Sequence, residues 1–216
     1  MIQVDALSKR FGPVTALADV GFTAPDGAVT GLVGPNGAGK TTALRVLYTV
    51  IRPDSGRALV DGRDLAADRR EAQARIGVLP DNRGLYPRLT ARENVRYYGR
   101  LHGLPRTVVD QRTAELFARL GMADIADRRT QGFSKGQMLK VGLARALIHD
   151  PPNLLLDEPT NGLDIATSRT VRAILDERRA AGRCVLYCSH IMSEVAALCD
   201  RIVVMGGGRV VAQGTL

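Results

Sequence analysis

The stretch Gly34-Pro35-Asn36-Gly37-Ala38-Gly39-Lys40-Thr41 constrains this chain more than any other. It follows a continuous apolar run of strand length, Ala28-Val29-Thr30-Gly31-Leu32-Val33. It precedes a segment, Lys40 to Val50, whose apolar residues Ala43, Leu44, Leu47 and Val50 recur at helical spacing. A strand, a loop of small residues and a helix in that order form a cradle for phosphate. Without bulky side chains, successive backbone N–H groups can converge on phosphate oxygens, and the helix adds the positive end of its dipole. In the spacing G-x-x-x-x-G-K-[ST], Lys40 reaches the β- and γ-phosphates and the Thr41 hydroxyl binds Mg2+, with Thr42 beside it in the first turn. A dinucleotide-type G-x-G-x-x-G is absent.

Around this loop the pattern alternates. Ile2 to Leu7, Val14 to Thr23, Arg57 to Val60 and Arg75 to Leu79 read as strands, with a turn at Phe11-Gly12-Pro13. From about Thr90 to His149 the pattern is mostly helical, within an insertion running roughly from Gly84 to His149. Thr90-Ala91-Arg92-Glu93 opens a helix as a capping box, and Ser134 is placed to cap the helix carrying Met138, Val141, Leu143, Ala144 and Leu147. Alternation then resumes: a strand over Asn153–Asp157, a helix over Ala166–Ala180, a strand over Arg183–Cys188, a helix over Ile191–Leu198 and short strands at Arg201–Met205 and Arg209–Ala212. Strands alternating with helices imply an α/β fold with a parallel sheet covered on both faces.

The buried strand Asn153-Leu154-Leu155-Leu156-Asp157-Glu158 ends in two carboxylates. Behind a phosphate loop, Asp157 suits Mg2+ and Glu158 suits the attacking water, which it can orient or deprotonate. At 216 residues one α/β domain with a helical insertion fits, and two such units do not. The net charge of +8 suits phosphates, nucleic acid or an anionic membrane face without choosing among them. Aromatics at 4 % and no Trp weaken any proposal that stacks many bases. No apolar run approaches the ~20 residues of a membrane span, and Met1-Ile2-Gln3-Val4-Asp5 lacks the features of a secretion leader. The cysteines Cys184, Cys188 and Cys199 contain no C-x-x-C pair, so buried reduced thiols are expected rather than a zinc site with His190. His102 and His149 belong to no motif and read as structural or solvated.

The order of motifs resembles the ATP-binding subunit of an ABC transporter. Phe133-Ser134-Lys135-Gly136-Gln137 resembles that family's LSGGQ signature, Asn161-Gly162-Leu163-Asp164 its D-loop, and His190 its switch histidine; Phe11 sits where the family stacks an aromatic on adenine. The resemblance implies a P-loop NTPase cassette: a mostly parallel core sheet, an N-terminal antiparallel β subdomain and a helical subdomain at about 84–149, all within one domain, 1–216. It implies ATP and Mg2+ as ligands. It also implies a second ATPase subunit, paired head to tail, whose Ser134, Gly136 and Gln137 grip the γ-phosphate held by Lys40, with Asp164 at the seam. His190 then bonds the same phosphate beside Glu158. A membrane-spanning permease, a cytoplasmic-face location and no nucleic-acid partner follow from the same resemblance.

Three departures stand out. Asp81 occupies the place of a Gln that meets Mg2+ and the permease. Phe133 and Lys135 replace Leu and the first Gly of the signature. Family members often continue for a helix or two past the position of Leu216. The stretch Gly77 to Asn94 and the Phe133–Gln137 signature are closer to the sodium-export (NatA-like) branch, so sodium efflux is the expected activity. Drug or lipid export is the alternative, and a soluble ATPase acting on nucleic acid or ribosomes a more distant one. Val95, Tyr97, Tyr98 and Leu101 give one helix an apolar side, either core or docking surface.

Overall fold

The structure, a computed structural model, describes residues 1–82, 84–161 and 164–216. Two sheets organise it. The four-stranded antiparallel sheet has the order β2 (Val14–Ala24), β1 (Ile2–Phe11), β4 (Ser55–Val60), β5 (Arg63–Asp64). The six-stranded sheet has the order β10 (Arg209–Thr215), β9 (Arg201–Gly206), β3 (Val29–Val33), β8 (Cys184–Ser189), β7 (Asn153–Asp157), β6 (Ile76–Leu79). Its pairings are parallel except the β9–β10 hairpin.

The central strands are buried on both faces, as their unbroken apolar runs require. Alternation sends Leu154, Leu156, Val185 and Tyr187 into one core, shared with the helices α3 (Ala91–Leu101), α4 (Arg106–Arg119), α5 (Lys135–Leu147) and α6 (Ile165–Ala180). Leu155, Cys184, Leu186 and Cys188 point the other way, into a second core with α1 (Lys40–Leu47) and the antiparallel sheet. Both expected caps form. Thr90 Oγ1 accepts from Glu93 N at 3.1 Å and Thr90 N donates to Glu93 Oε2 at 2.8 Å. Ser134 makes the same reciprocal box with Gln137.

Two helices differ from expectation. The first helix stops at Leu47 rather than Val50, because Thr49 takes a left-handed φ of 62°. Thr49 N then donates to Val46 O and Val50 N to Arg45 O, a Schellman turn. That turn throws Val50 outward, 66 % exposed. Such a turn usually takes Gly, and the threonine here is held by Arg69, which donates to its carbonyl at 2.8 Å. The second difference is α2 (Arg69–Ala74), a polar turn of helix that buries only Ala72 and therefore shows no apolar period. In the remaining helices, Val95 is buried and Tyr98 half-buried, whereas Tyr97 and Leu101 are exposed, so that face serves both core and surface.

The rings of His102 and His149 stack, centroids 3.6 Å apart and 7° from parallel, with His149 Nε2 at 3.2 Å from the Ile76 carbonyl. Burial, aided by His102, pushes the His149 imidazole down to about 4. In the unfolded chain it protonates near its ordinary value of 6.5. Between those values the unfolded state binds a proton that the folded state refuses, so stability falls as pH drops, by about 3 kcal/mol at most. The urea midpoint is expected to fall between about pH 7 and about pH 5, and His149→Phe to flatten that fall. An equally steep acid limb in the variant would locate the effect elsewhere.

Candidate functional site

Loops at the carboxyl ends of β3, β8, β7 and β6 meet at one edge of the parallel sheet. Register makes the meeting specific: Val33 lies beside Ser189, Cys188 beside Asp157, and Leu156 beside Leu79. The residues just beyond these ends are the phosphate loop, His190, Glu158 and Asp81. Crevices at such strand ends are where open α/β sheets bind ligands.

The phosphate loop is shaped by close approach. A Cβ on Gly34 would stand 2.2 Å from the Met205 carbonyl, and Gly39, at φ 99°, would put one 2.5 Å from Ala16 O. Lys40 opens α1 and is 6 % exposed; its Nζ donates to the carbonyls of Gly34 at 2.7 Å and Pro35 at 3.1 Å. The ammonium is thus already held above the loop. Asn36, Gly37, Ala38, Gly39, Lys40, Thr41 and Thr42 line a cleft of about 550 Å³ together with Asp81, Glu158, Asn161 and His190.

Glu158 follows β7 with φ 48°, left-handed for a residue that has a Cβ. Its N–H donates to Cys188 O at 2.9 Å, which pins the strained turn to the neighbouring strand. Its Oε2 lies 2.8 Å from His190 Nδ1. An acid and a base 32 residues apart therefore form one hydrogen-bonded pair at the cleft. Burial pushes the Asp157 carboxyl above its ordinary range, with the Asp81 and Glu158 charges adding to the rise; the Cys188 thiol and Lys40 act against it. A carboxylate in that setting favours a cation, and the donors at this end (Thr41, Asp81, Asp157) are hard oxygens. Among the described residues no three His, Cys, Asp or Glu side chains form a ready metal cage. The donor set of one hydroxyl and two carboxylates fits Mg2+, which takes one or two carboxylates and leaves the rest to phosphates and water.

Other expected residues are elsewhere. Ser134, Gly136, Gln137 and Asp164 are not among the residues lining the cleft. They gather where α5 and α6 begin. Asp164 caps α6, accepting from Thr167 N at 2.7 Å, and a Cβ on Gly136 would come 2.8 Å from Thr167 Oγ1. Ser134 and Gln137 close the capping box that opens α5. Of the D-loop motif, Gly162 and Leu163 lie outside the described residues, while Asn161 reaches the cleft. Phe11 is 49 % exposed, with the Lys9 ammonium 5.6 Å from its ring centroid, but it does not line the cleft; Val14, Thr15 and Ala16, across the turn, do. Their exposed start to β2 carried no signal in the sequence. Lys135 lines an adjoining hollow with Asp81, Asn161 and Met138. The cysteines cannot converge on one metal: Cys184 and Cys188 face one core and Cys199 the other. Burial pushes the Cys184 and Cys199 thiols up to about 12.

Residues 17–161 match the family model described as ABC transporter. The chain is 45 % identical over its full length to the ABC transporter ATP-binding protein NatA of Bacillus subtilis, covering 90 % of that protein. It is 34 % identical to the linearmycin resistance ATP-binding protein LnrL of the same organism, over all of this chain and 69 % of that one. A dimeric, post-hydrolysis ATP-binding cassette solved with ADP and Pi superposes with a TM-score of 0.90 at 26 % identity, covering 100 % of this chain and 99 % of that one.

Proposed function

The chain belongs to the ABC transporter family of ATP-binding subunits, whose cassettes hydrolyse ATP to power transport, and from that premise we propose that it drives an exporter. The observation that carries the mechanism is the cleft in which the phosphate loop faces the Glu158–His190 pair. In this reading the backbone N–H groups of residues 36–42 and the Lys40 ammonium hold the ATP phosphates. Thr41, Asp157 and Asp81 would hold Mg2+, which would neutralise phosphate charge. Glu158 orients the attacking water and takes its proton. His190, tethered through Nδ1, turns Nε2 toward the γ-phosphate, to which it donates when both ring nitrogens carry protons. Phe11 is read as the adenine contact, beside Val14 and Ala16.

Ser134, Gly136, Gln137 and Asp164 gather at the starts of α5 and α6, outside the cleft lining, and are read as a second half-site on the same chain. Two copies, or this chain and a similar one, complete them head to tail, as the family resemblance implies. The dimeric relative solved with ADP and Pi supports that arrangement. The whole chain is read as one cassette whose helical subdomain runs from about 84 to 149.

Among the described residues no helix is long and apolar enough to cross a membrane. From the family resemblance we read the transport path as a membrane permease, with this subunit peripheral on its cytoplasmic face through the surface around Asp81 to His102. Sodium is the proposed cargo, supported by the likeness of residues 77–94 and 133–137 to the sodium-export branch. The test is sodium efflux from loaded cells or inverted vesicles carrying this chain and its permease. ATP-dependent efflux lost in Glu158→Gln supports the reading. Intact ATPase with no efflux removes sodium and turns the search to drugs and lipids.

A further inference from the structure

Behind the Glu158–His190 pair lies a cluster of hydroxyls gathered on one carboxylate oxygen. Glu194 Oε2, in the first turn of α7 (Met192–Leu198), lies 2.6 Å from Thr160 Oγ1, 3.2 Å from Ser189 Oγ and 3.2 Å from Tyr187 OH. Tyr187 OH is also 2.7 Å from Thr160 Oγ1. Each hydroxyl has one proton, and O–H···O bonds are best below about 3.0 Å. The shortest consistent chain runs from Tyr187 to Thr160 to Glu194, with Ser189 donating to Glu194 while accepting from Ile191 N at 3.1 Å. Tyr187 is fully buried and Thr160 nearly so, so these donors cannot fall back on bulk water.

The placement matters more than the count. Thr160 stands two residues after Glu158, and Ser189 immediately before His190. The clip therefore joins the two segments that carry the pair, on the far side from the Glu158 N to Cys188 O bond. The strained φ of Glu158 persists only if its surroundings hold it. Thr160 also leads into Asn161, at the cleft wall. We propose that Glu194 is a positioning residue: its carboxylate clips the Thr160 segment to the Ser189 segment and so sets the distance between Glu158 and His190. The proposal rests on the reading of that pair as the hydrolytic centre.

The test uses the full chain. In Glu194→Ala, kcat for Mg-ATP is expected to fall about ten- to a hundredfold, the cost of slight misplacement, with KM within about twofold because the phosphate loop is untouched. Glu194→Gln keeps an acceptor oxygen for the hydroxyls and is expected to recover most of the rate. Thr160→Val, close in shape, is expected to reproduce part of the loss and carries the test if Glu194→Ala does not fold. A second readout needs no turnover: the ¹⁵N signals of the neutral His190 ring. The wild type is expected to hold the Nδ1–H tautomer that donates to Glu158, and Glu194→Ala to average it with the Nε2–H form. A wild type that binds ATP without hydrolysing it, yet shows the locked tautomer lost in Glu194→Ala, counts against the ATPase reading and for the clip. Folded Glu194→Ala with wild-type kcat and wild-type tautomer overturns the clip.

Discussion

Glu158→Gln is expected to lower Mg-ATP turnover by on the order of 100-fold or more, the usual worth of a general base, while leaving ATP binding intact. The side chain keeps its size and its oxygen, so the hydrogen bond to His190 can survive in altered form. What it loses is the ability to take a proton from water. The phosphate loop follows a different strand, β3, and is shaped by its close approach to Met205 and Ala16 and by the bonds of Lys40 to its own carbonyls. With hydrolysis stopped and binding retained, the ATP-bound pair of chains should accumulate. Single-turnover ATPase assays and light scattering on a sizing column with Mg-ATP report the two effects separately. Turnover at the wild-type rate would remove Glu158 from the chemistry. A variant that stays monomeric with Mg-ATP would remove the two-chain sandwich and leave the single-site cleft standing.

Lys40→Ala is expected to weaken ATP binding at least about 30-fold, the lower end of what truncating one partner of a buried charge pair costs. Lys40 is the cation buried within the loop itself, already aimed by its bonds to the Gly34 and Pro35 carbonyls. Phosphate oxygens would meet a charge whose desolvation has been met during folding. Alanine leaves those two carbonyls to water in an open cleft, so the melting temperature should move far less than the affinity. Calorimetric titration with ATP, with and without Mg2+, measures it. An affinity within a few-fold of wild type would mean that backbone N–H groups alone hold the phosphates.

Legibility followed the range of the forces involved. The phosphate loop could be read because its requirements are met within eight residues: small side chains, a left-handed Gly39, a lysine at the helix start. The boxes at Thr90 and Ser134 are likewise short-range, each closed within three residues. Boundaries failed where a local rule was overridden from a distance. Thr49 takes the left-handed place of a glycine, with Arg69 and Gln73 bonded to it from a later helix. The place of Val14, Thr15 and Ala16 on the cleft, across the turn from Phe11, likewise depends on how β2 packs beside the phosphate loop. The Glu194 clip carried no signal at all, since a Glu four residues after a His is an ordinary helical neighbour.

By itself, the sequence determined which chemical groups this protein owns and the local shapes that present them: a phosphate cradle, a carboxylate at a strand end, a histidine after another strand. These depend on contacts within a turn or two, where backbone sterics and side-chain size decide. Only the tertiary structure decided which groups meet. The spatial order β3-β8-β7-β6 is not the order of the chain. It arises because buried strands must satisfy every backbone N–H and C=O and cover both apolar faces at once. That long-range condition brings His190 to Glu158 and leaves Ser134 and Gly136 at the start of α5, outside the cleft lining.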